Sequence, residues 1–416
     1  MDVSPIASSM ETTAAPVADA PIIKPVVLTS RIASVDVYRG FVMLLMMAEV
    51  LSFRQVAEAL PESRIWQFLN FHQSHVPWVG CSLHDLIQPS FTFLVGVALP
   101  FSIGSRLAKG AAFGPLLRHA IVRSVILILL GIFLRSLHSE QTNFTFEDTL
   151  TQIGLGYTFL FLLGFTSQRV QLGALALILI GYWAAFALYP LPGAGFDYMA
   201  AGVSPDWEHN LRGFAAHWNM NTNLAWSFDR WFLNLFPREE IFTNNGGGYA
   251  TLSFIPTLGT MILGLFAGNK LRTVTTSQEK LKFFAITGVC LLLGGALLHF
   301  TGINPIVKRI WTPAWVLFSG GWCFLLLALF YAVIDVANYR KWAFPLLVIG
   351  MNSIAAYVIA DGFGSFIASS LSIHLGQDYN LLFGVPYATL VKGTLVLLIE
   401  WYILYWMYKN KIFVKI

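Results

Sequence analysis

The sequence predicts an all-α, polytopic integral membrane protein with about 10 transmembrane helices. Of its 416 residues, 56% are hydrophobic and only 12% are charged, well below the roughly 25% charge of a soluble domain. Mean hydropathy is +0.64. The apolar residues also gather into stretches near the roughly 20 residues that a helix needs to cross a bilayer. The 13 Trp and 34 Phe suit lipid-facing helices and the aromatic belts at the two membrane surfaces. A net charge of +4 gives no footing for nucleic-acid binding.

Residues 1–30 come first, rich in Ala, Pro, Val, Ser and Thr and without an aromatic residue. No basic region precedes an apolar one there, so the stretch makes a poor signal peptide; it reads as a disordered cytoplasmic tail. Residues 31–416 form the transmembrane domain. The spans are expected at 37–53, 83–104, 117–137, 150–166, 170–189, 251–269, 282–300, 313–334, 343–370 and 385–408. The ninth holds Gly350, Gly362 and Gly364 and is expected to be kinked or split. Basic residues set the orientation. Lys24, Arg31, Arg106, Lys109, Arg169, Lys270, Arg272, Arg340, Lys341 and Lys409 share one side, which places both termini in the cytoplasm. Two long segments, 54–82 and 190–250, then lie outside. Both are rich in Trp, His and Asn, and long connections of this kind are often functional. The second carries Asp229, Arg230 and the run Asn244-Asn245-Gly246-Gly247-Gly248.

The densest group of reactive side chains is His72, His75, Trp78, Gly80, His84 and Asp85, at the head of the second span. Histidine exchanges a proton near neutral pH, and a neighbouring carboxylate would orient it. The same residues can equally serve as interfacial anchors. An ionisable group at membrane depth costs about 2.5–3.5 kcal/mol on insertion scales and usually faces a cavity; Glu49 and Asp361 are such groups. Asn352 and Ser353 are polar residues of the ninth span, suited to hydrogen bonding between helices as much as to chemistry. Metal binding is not indicated, because His72 and His75 lie outside any His-Glu-x-x-His pattern. Cys81, Cys290 and Cys323 fit neither a disulfide framework nor a zinc site. No phosphate-binding loop or Gly-x-Ser-x-Gly elbow occurs.

A set of motifs in fixed order goes further. Arg31-Ile32-Ala33-Ser34-Val35-Asp36-Val37-Tyr38-Arg39-Gly40 opens the first span. His75-Val76-Pro77-Trp78-Val79-Gly80 runs on to Asp85-Leu86 and Pro89. Then come Phe228-Asp229-Arg230, Leu252-Ser253-Phe254-Ile255-Pro256, Lys308-Arg309-Ile310-Trp311-Thr312-Pro313 and Gly350-Met351-Asn352-Ser353. In this order they resemble the heparan-α-glucosaminide N-acetyltransferase family, over residues 31–410.

The resemblance implies a transmembrane acyltransferase domain. It would move acetyl from cytoplasmic acetyl-CoA, its co-substrate, to the amine of a glucosamine-type sugar, with no metal. It implies His75 and Asp85 as the catalytic residues, and Trp78, Glu49, Asp229, Arg230, Asn352 and Ser353 around the substrate. Arg39, Lys270 and Arg272 would meet the phosphates of CoA, as could Arg106, Lys109, Arg118, Arg340 and Lys341. It implies the bacterial form, in the inner membrane, without the lumenal domain and extra helix of the animal enzymes. Two positions depart from the family pattern: Val79 stands where Asn is common, and Glu49-Val50 where Asn is usual near the end of the first span. Both bear on the acceptor more than on the reaction class. The partners implied are an amino-sugar substrate and the lipid bilayer, with a homo-oligomer left open. The alternatives are a membrane O-acyltransferase of a glycan, whose first span would carry a histidine, and an amino-sugar transporter, which would show inverted repeats. This chain shows neither feature.

Overall fold

The computed structural model describes residues 32–414; the tail 1–30 lies outside them. The described residues are helical throughout, with one isolated β-bridge and no strand among them. α1 (Ala33–Met47) runs on as a 3-10 turn to Leu51. Two short helices, α2 (Phe53–Ala59) and α3 (Arg64–Gln73), follow. Then come α4 (Ile87–Leu107), α5 (Phe113–Arg135), α6 (Thr149–Leu163), α7 (Gln168–Leu188), the short α8 (Leu224–Phe232), α9 (Phe254–Arg272), α10 (Ser277–Phe300), α11 (Pro313–Phe330), α12 (Phe344–Met351), α13 (Ser353–Leu375) and α14 (Ala388–Lys409).

Each of the ten expected segments is helical, but the number of spans needs correction. Among the described residues, eight helices are long and apolar enough to cross a membrane. A ninth is α1, if it is joined to α2 across a 44° bend. The remaining segment, α6, has 15 residues. At about 1.5 Å per residue it reaches about 22 Å, short of a hydrocarbon core of about 30 Å. It still runs from one end of the bundle to the other. Gln152, near its start, bonds the Thr251 carbonyl at the head of α9, and Gly164 at its end faces Leu99 and Ile103 late in α4.

The ninth expected span, 343–370, is also revised. Asn352 (φ −128°, ψ 39°) breaks the helix, leaving α13 as the span. α12 instead lies antiparallel on the start of α1, with Leu346 against Gly40 and Gly350 against Asp36. A side chain at either glycine would strike a carbonyl of the facing helix. The glycine read as a kink residue is therefore a contact residue, and the kink belongs to Asn352. Its Nδ2 donates to the Ile412 carbonyl (2.8 Å), and its Oδ1 accepts from Val414 N (3.1 Å).

α4 and α9 form the centre. The apolar window of α9 is 78% buried and that of α4 67%, against 17% for α7, α10 and α13. Gly96 of α4 and Gly264 and Gly268 of α9 bring the two backbones together, the small-residue packing that replaces a hydrophobic driving force within lipid. Exposed Leu129, Phe133, Leu177, Ile180, Leu293 and Leu297 mark the faces turned outward. The ends of α1, α5, α7 and α10 and the starts of α4, α6, α9 and α11 converge at one end of the bundle. The long loops gather there and form their own core around Trp78, Trp218, Phe186 and Val307.

Candidate active site

The segment between α3 and α4 carries His75 and is pinned to the loop between α10 and α11. Val79 bridges Val307, and Gly80 N donates to the Ile306 carbonyl (3.1 Å). Gly80 has φ 122°, a conformation natural to glycine alone. Trp78 is buried, and its indole N–H donates to the Trp218 carbonyl (3.1 Å). Arg309 closes the frame from outside by donating to the carbonyls of Val76 and Gly247.

Within this frame Asp85 sits in the 3-10 turn that starts α4, with its side chain 1% exposed. Its Oδ2 accepts from Val76 N (3.2 Å), Ser82 N (3.0 Å) and Ser82 Oγ (3.0 Å). Its Oδ1 lies 2.8 Å from His75 Nδ1 and 3.4 Å from Lys308 Nζ. A carboxylate accepts, so Nδ1 of His75 must carry the proton of that bond. Lys308 Nζ also lies 3.1 Å from Nδ1, but two donors do not bond each other, and the ammonium is matched to Asp85. The lone pair of His75 is thereby fixed on Nε2. Burial lowers the pKa of His75 below its ordinary value; the bond to Asp85 opposes this, and the Lys308 charge adds to it. Burial likewise lowers that of Lys308, against the pull of Asp85. The outcome is a neutral imidazole, oriented and ready to take a proton.

A second pair stands beside the first. His84 Nε2 is 3.1 Å from Glu49 Oε1, and the His75 and His84 rings are 4.5 Å apart between centroids. His75, His84 and Glu49 line one cavity of about 540 Å³, within the usual range for small-molecule sites; Asp85 stands behind His75. Its wall also includes Tyr249, Asn245, Lys308, Arg135, Glu147 and Asp148, and it runs inward to Tyr357, Asp361 and Glu400 between α13 and α14. Burial raises the pKa values of Glu147 and Asp148 above the usual carboxylate range. The intramembrane acids thus face a shared cavity, as their cost in lipid demands.

The structure brings His75, Asp85 and Glu49 together. Trp78, Asp229, Arg230, Asn352 and Ser353 fall outside the cavity wall. Asp229 instead accepts from Thr251 N (2.9 Å) and, buried under the loops, has its pKa pushed up to about 7. Arg230 lies over the Trp226 ring. Asn352 is engaged with the C-terminal segment. Arg39, Lys270 and Arg272 lie toward the opposite end of the bundle, Arg39 3.3 Å from Asp36 and Lys270 over the Phe283 ring. Lys308 and Tyr249 were missed as site residues. The only signal for Lys308 is its place in the Lys308-Arg309-Ile310-Trp311 motif. Glu400, inside an apolar run, was missed outright.

No family model matches the chain. Two curated proteins do: the heparan-alpha-glucosaminide N-acetyltransferase of Homo sapiens, 24% identical over 430 aligned residues, and that of Mus musculus, 23% identical over 432. The family resemblance read from the motifs is borne out. The alignments cover 94% and 93% of this chain. The chain spans about three fifths of the length of these relatives, 60% and 61%.

Proposed function

We propose that the chain is a membrane acetyltransferase that moves acetyl from acetyl-CoA to the amine of a glucosamine-type sugar. The observation that carries this is the His75–Asp85 pair, 2.8 Å apart, at the wall of an acid-lined cavity. The activity for which the relatives are named supports it, and the acids suit an acceptor that arrives as a cation. Nε2 of His75 takes the proton that the amine releases as its nitrogen attacks the thioester carbonyl, or itself attacks that carbonyl and carries the acetyl for one step. Asp85 holds the ring and balances the imidazolium. Lys308 and Tyr249 are the donors beside His75 suited to the developing oxyanion. Arg39, Lys270 and Arg272 lie where the nucleotide of a donor entering from the cytoplasm would meet the bundle. Both termini then lie on that side, in a bacterial inner membrane.

The test is turnover by the purified full chain with acetyl-CoA and a panel of amino sugars, with products read by mass spectrometry. N-acetylated glucosamine is expected. Acetyl found on hydroxyl groups alone would give the O-acyltransferase reading instead. Uptake of labelled glucosamine into proteoliposomes without acetyl transfer would make the chain a transporter.

A further inference from the structure

An ammonium that ends as an amide gives up two protons. One returns to the departing thiolate and one is released. His75 offers a single lone pair, at Nε2, because Nδ1 is committed to Asp85. If His75 carries the acetyl itself, it offers none. The reaction needs a second proton acceptor within reach of the same nitrogen.

We propose that His84 and Glu49 are that acceptor: a second histidine–carboxylate couple that deprotonates the incoming ammonium before attack. The inference rests on the acetyltransferase reading above. His84 is buried, 7% exposed in its side chain, while Glu49 is 55% exposed, and both line the cavity. Glu49 therefore meets the cation first, and His84 stands behind it against the His75 ring. The 3.1 Å ion-pair contact turns Nε2 of His84 toward Glu49. Nδ1 has no hydrogen-bond partner among the described residues. As at His75, the carboxylate faces one ring nitrogen, leaves the other open and balances the imidazolium. The other titratable group against His84 is His75, with Asp85 and Lys308 beyond it.

The balance is complete. Nδ1 of His84 takes one proton from the ammonium, leaving a neutral amine. The amine's electron pair forms the N–C bond at the thioester carbonyl, and the C–S bond breaks with its pair on sulfur. The second proton passes from nitrogen to His75 Nε2 and on to the thiolate, giving the free thiol. The first proton leaves through half-exposed Glu49 to water in the cavity.

An acceptor that arrives neutral does not need this couple. The experiment measures kcat/KM of the full chain with acetyl-CoA for His84→Gln, Glu49→Gln and His75→Ala, each as a ratio to the parent. Glucosamine is used at neutral pH and again at about pH 9, above the ordinary range of such an amine. Hydroxylamine, neutral under both conditions, is the second acceptor. His84→Gln and Glu49→Gln are expected to lose up to about 10-fold with glucosamine at neutral pH, where roughly a tenth of such an amine is already neutral. They should recover most of it at about pH 9 or with hydroxylamine. His75→Ala should stay inactive throughout. Glu49→Gln, at a half-exposed site, tests the idea even if the buried His84 variant fails to fold. An equal loss under all conditions would make the couple a mere support for the His75 ring and overturn the inference, as would no loss. If the parent acetylates no amine, it is the acetyltransferase reading that falls.

Discussion

A histidine serves as a base only if it is neutral, oriented and within reach, and at His75 burial and two neighbours bear on these conditions. Asp85 orients the ring, burial keeps it neutral, and Lys308 balances Asp85 while lowering the pKa of His75. His75→Ala is expected to cost about 10²–10⁴-fold in kcat while the protein stays folded and binds acetyl-CoA in a calorimetric titration. His72→Ala is the fitting control. His72 Nδ1 accepts from Leu83 N (3.2 Å), a loop contact outside the cavity wall; a loss equal to that of His75→Ala would mean that the motif has been misassigned. His84 cannot serve as one because its ring lies against His75. The pH profile follows from the same neighbours. As the proposed base His75 would work in its neutral form, so its lowered pKa should set the acid limb of kcat/KM below the ordinary value of about 6.5. Lys308→Met removes a charge that lowers His75. The pKa rises, the proton is held to higher pH, and the acid limb should move upward; an unmoved limb would separate Lys308 from the base. His75 and Asp85 were legible in sequence because they stand ten positions apart in one motif. Lys308 was not, since it reaches His75 across 233 residues of chain and nothing local marks that meeting.

Helices in lipid are told apart by what they pack against rather than by how apolar they are. All ten segments could be read from hydropathy, because the bilayer imposes one length on every span. Their ranking could not: α9 and α10 are both strongly apolar, yet one is central and the other peripheral. The distinction lies in Gly96, Gly264 and Gly268, which matter only in pairs across the α4–α9 contact. The same limit explains Asn352, whose partners at Ile412 and Val414 follow some 60 residues later. A Cβ at Gly264 would press on the Phe93 carbonyl, whereas one at Gly181 of α7 meets nothing within 4 Å. Gly264→Ala should therefore destabilise the bundle by about 1–3 kcal/mol, as overpacking does. Gly181→Ala should be close to neutral. Thermal unfolding in detergent, followed by loss of the monodisperse species, measures the difference; equal midpoints would remove α4–α9 from the centre of the fold.

At the scale of the whole molecule, the two ends of the bundle are chemically unlike. One end holds both histidine–carboxylate pairs, Lys308 and Tyr249 over the cavity. Toward the other lie Arg39, Lys270 and Arg272, the last packed on Gly104 at the end of α4. A transferase whose donor carries phosphates and whose acceptor is a cation would use such a polarity to take the two substrates from opposite sides. Sidedness is therefore the sharpest consequence. Glu208 lies in the loop before α8 at the histidine end and is 83% exposed in its side chain; Gln278 lies in the exposed first turn of α10 at the opposite end. In a background without Cys81, Cys290 and Cys323, an impermeant thiol reagent should label Glu208→Cys on intact cells. Gln278→Cys should be labelled only after permeabilisation. In sealed inside-out vesicles, acetyl-CoA added outside should acetylate glucosamine trapped within. Right-side-out vesicles given the same external donor should not react. If right-side-out vesicles turn over instead, or if Gln278→Cys labels on intact cells, the donor enters at the histidine end. The three basic residues then have no part in binding it, and the charge asymmetry of the loops has been read the wrong way round.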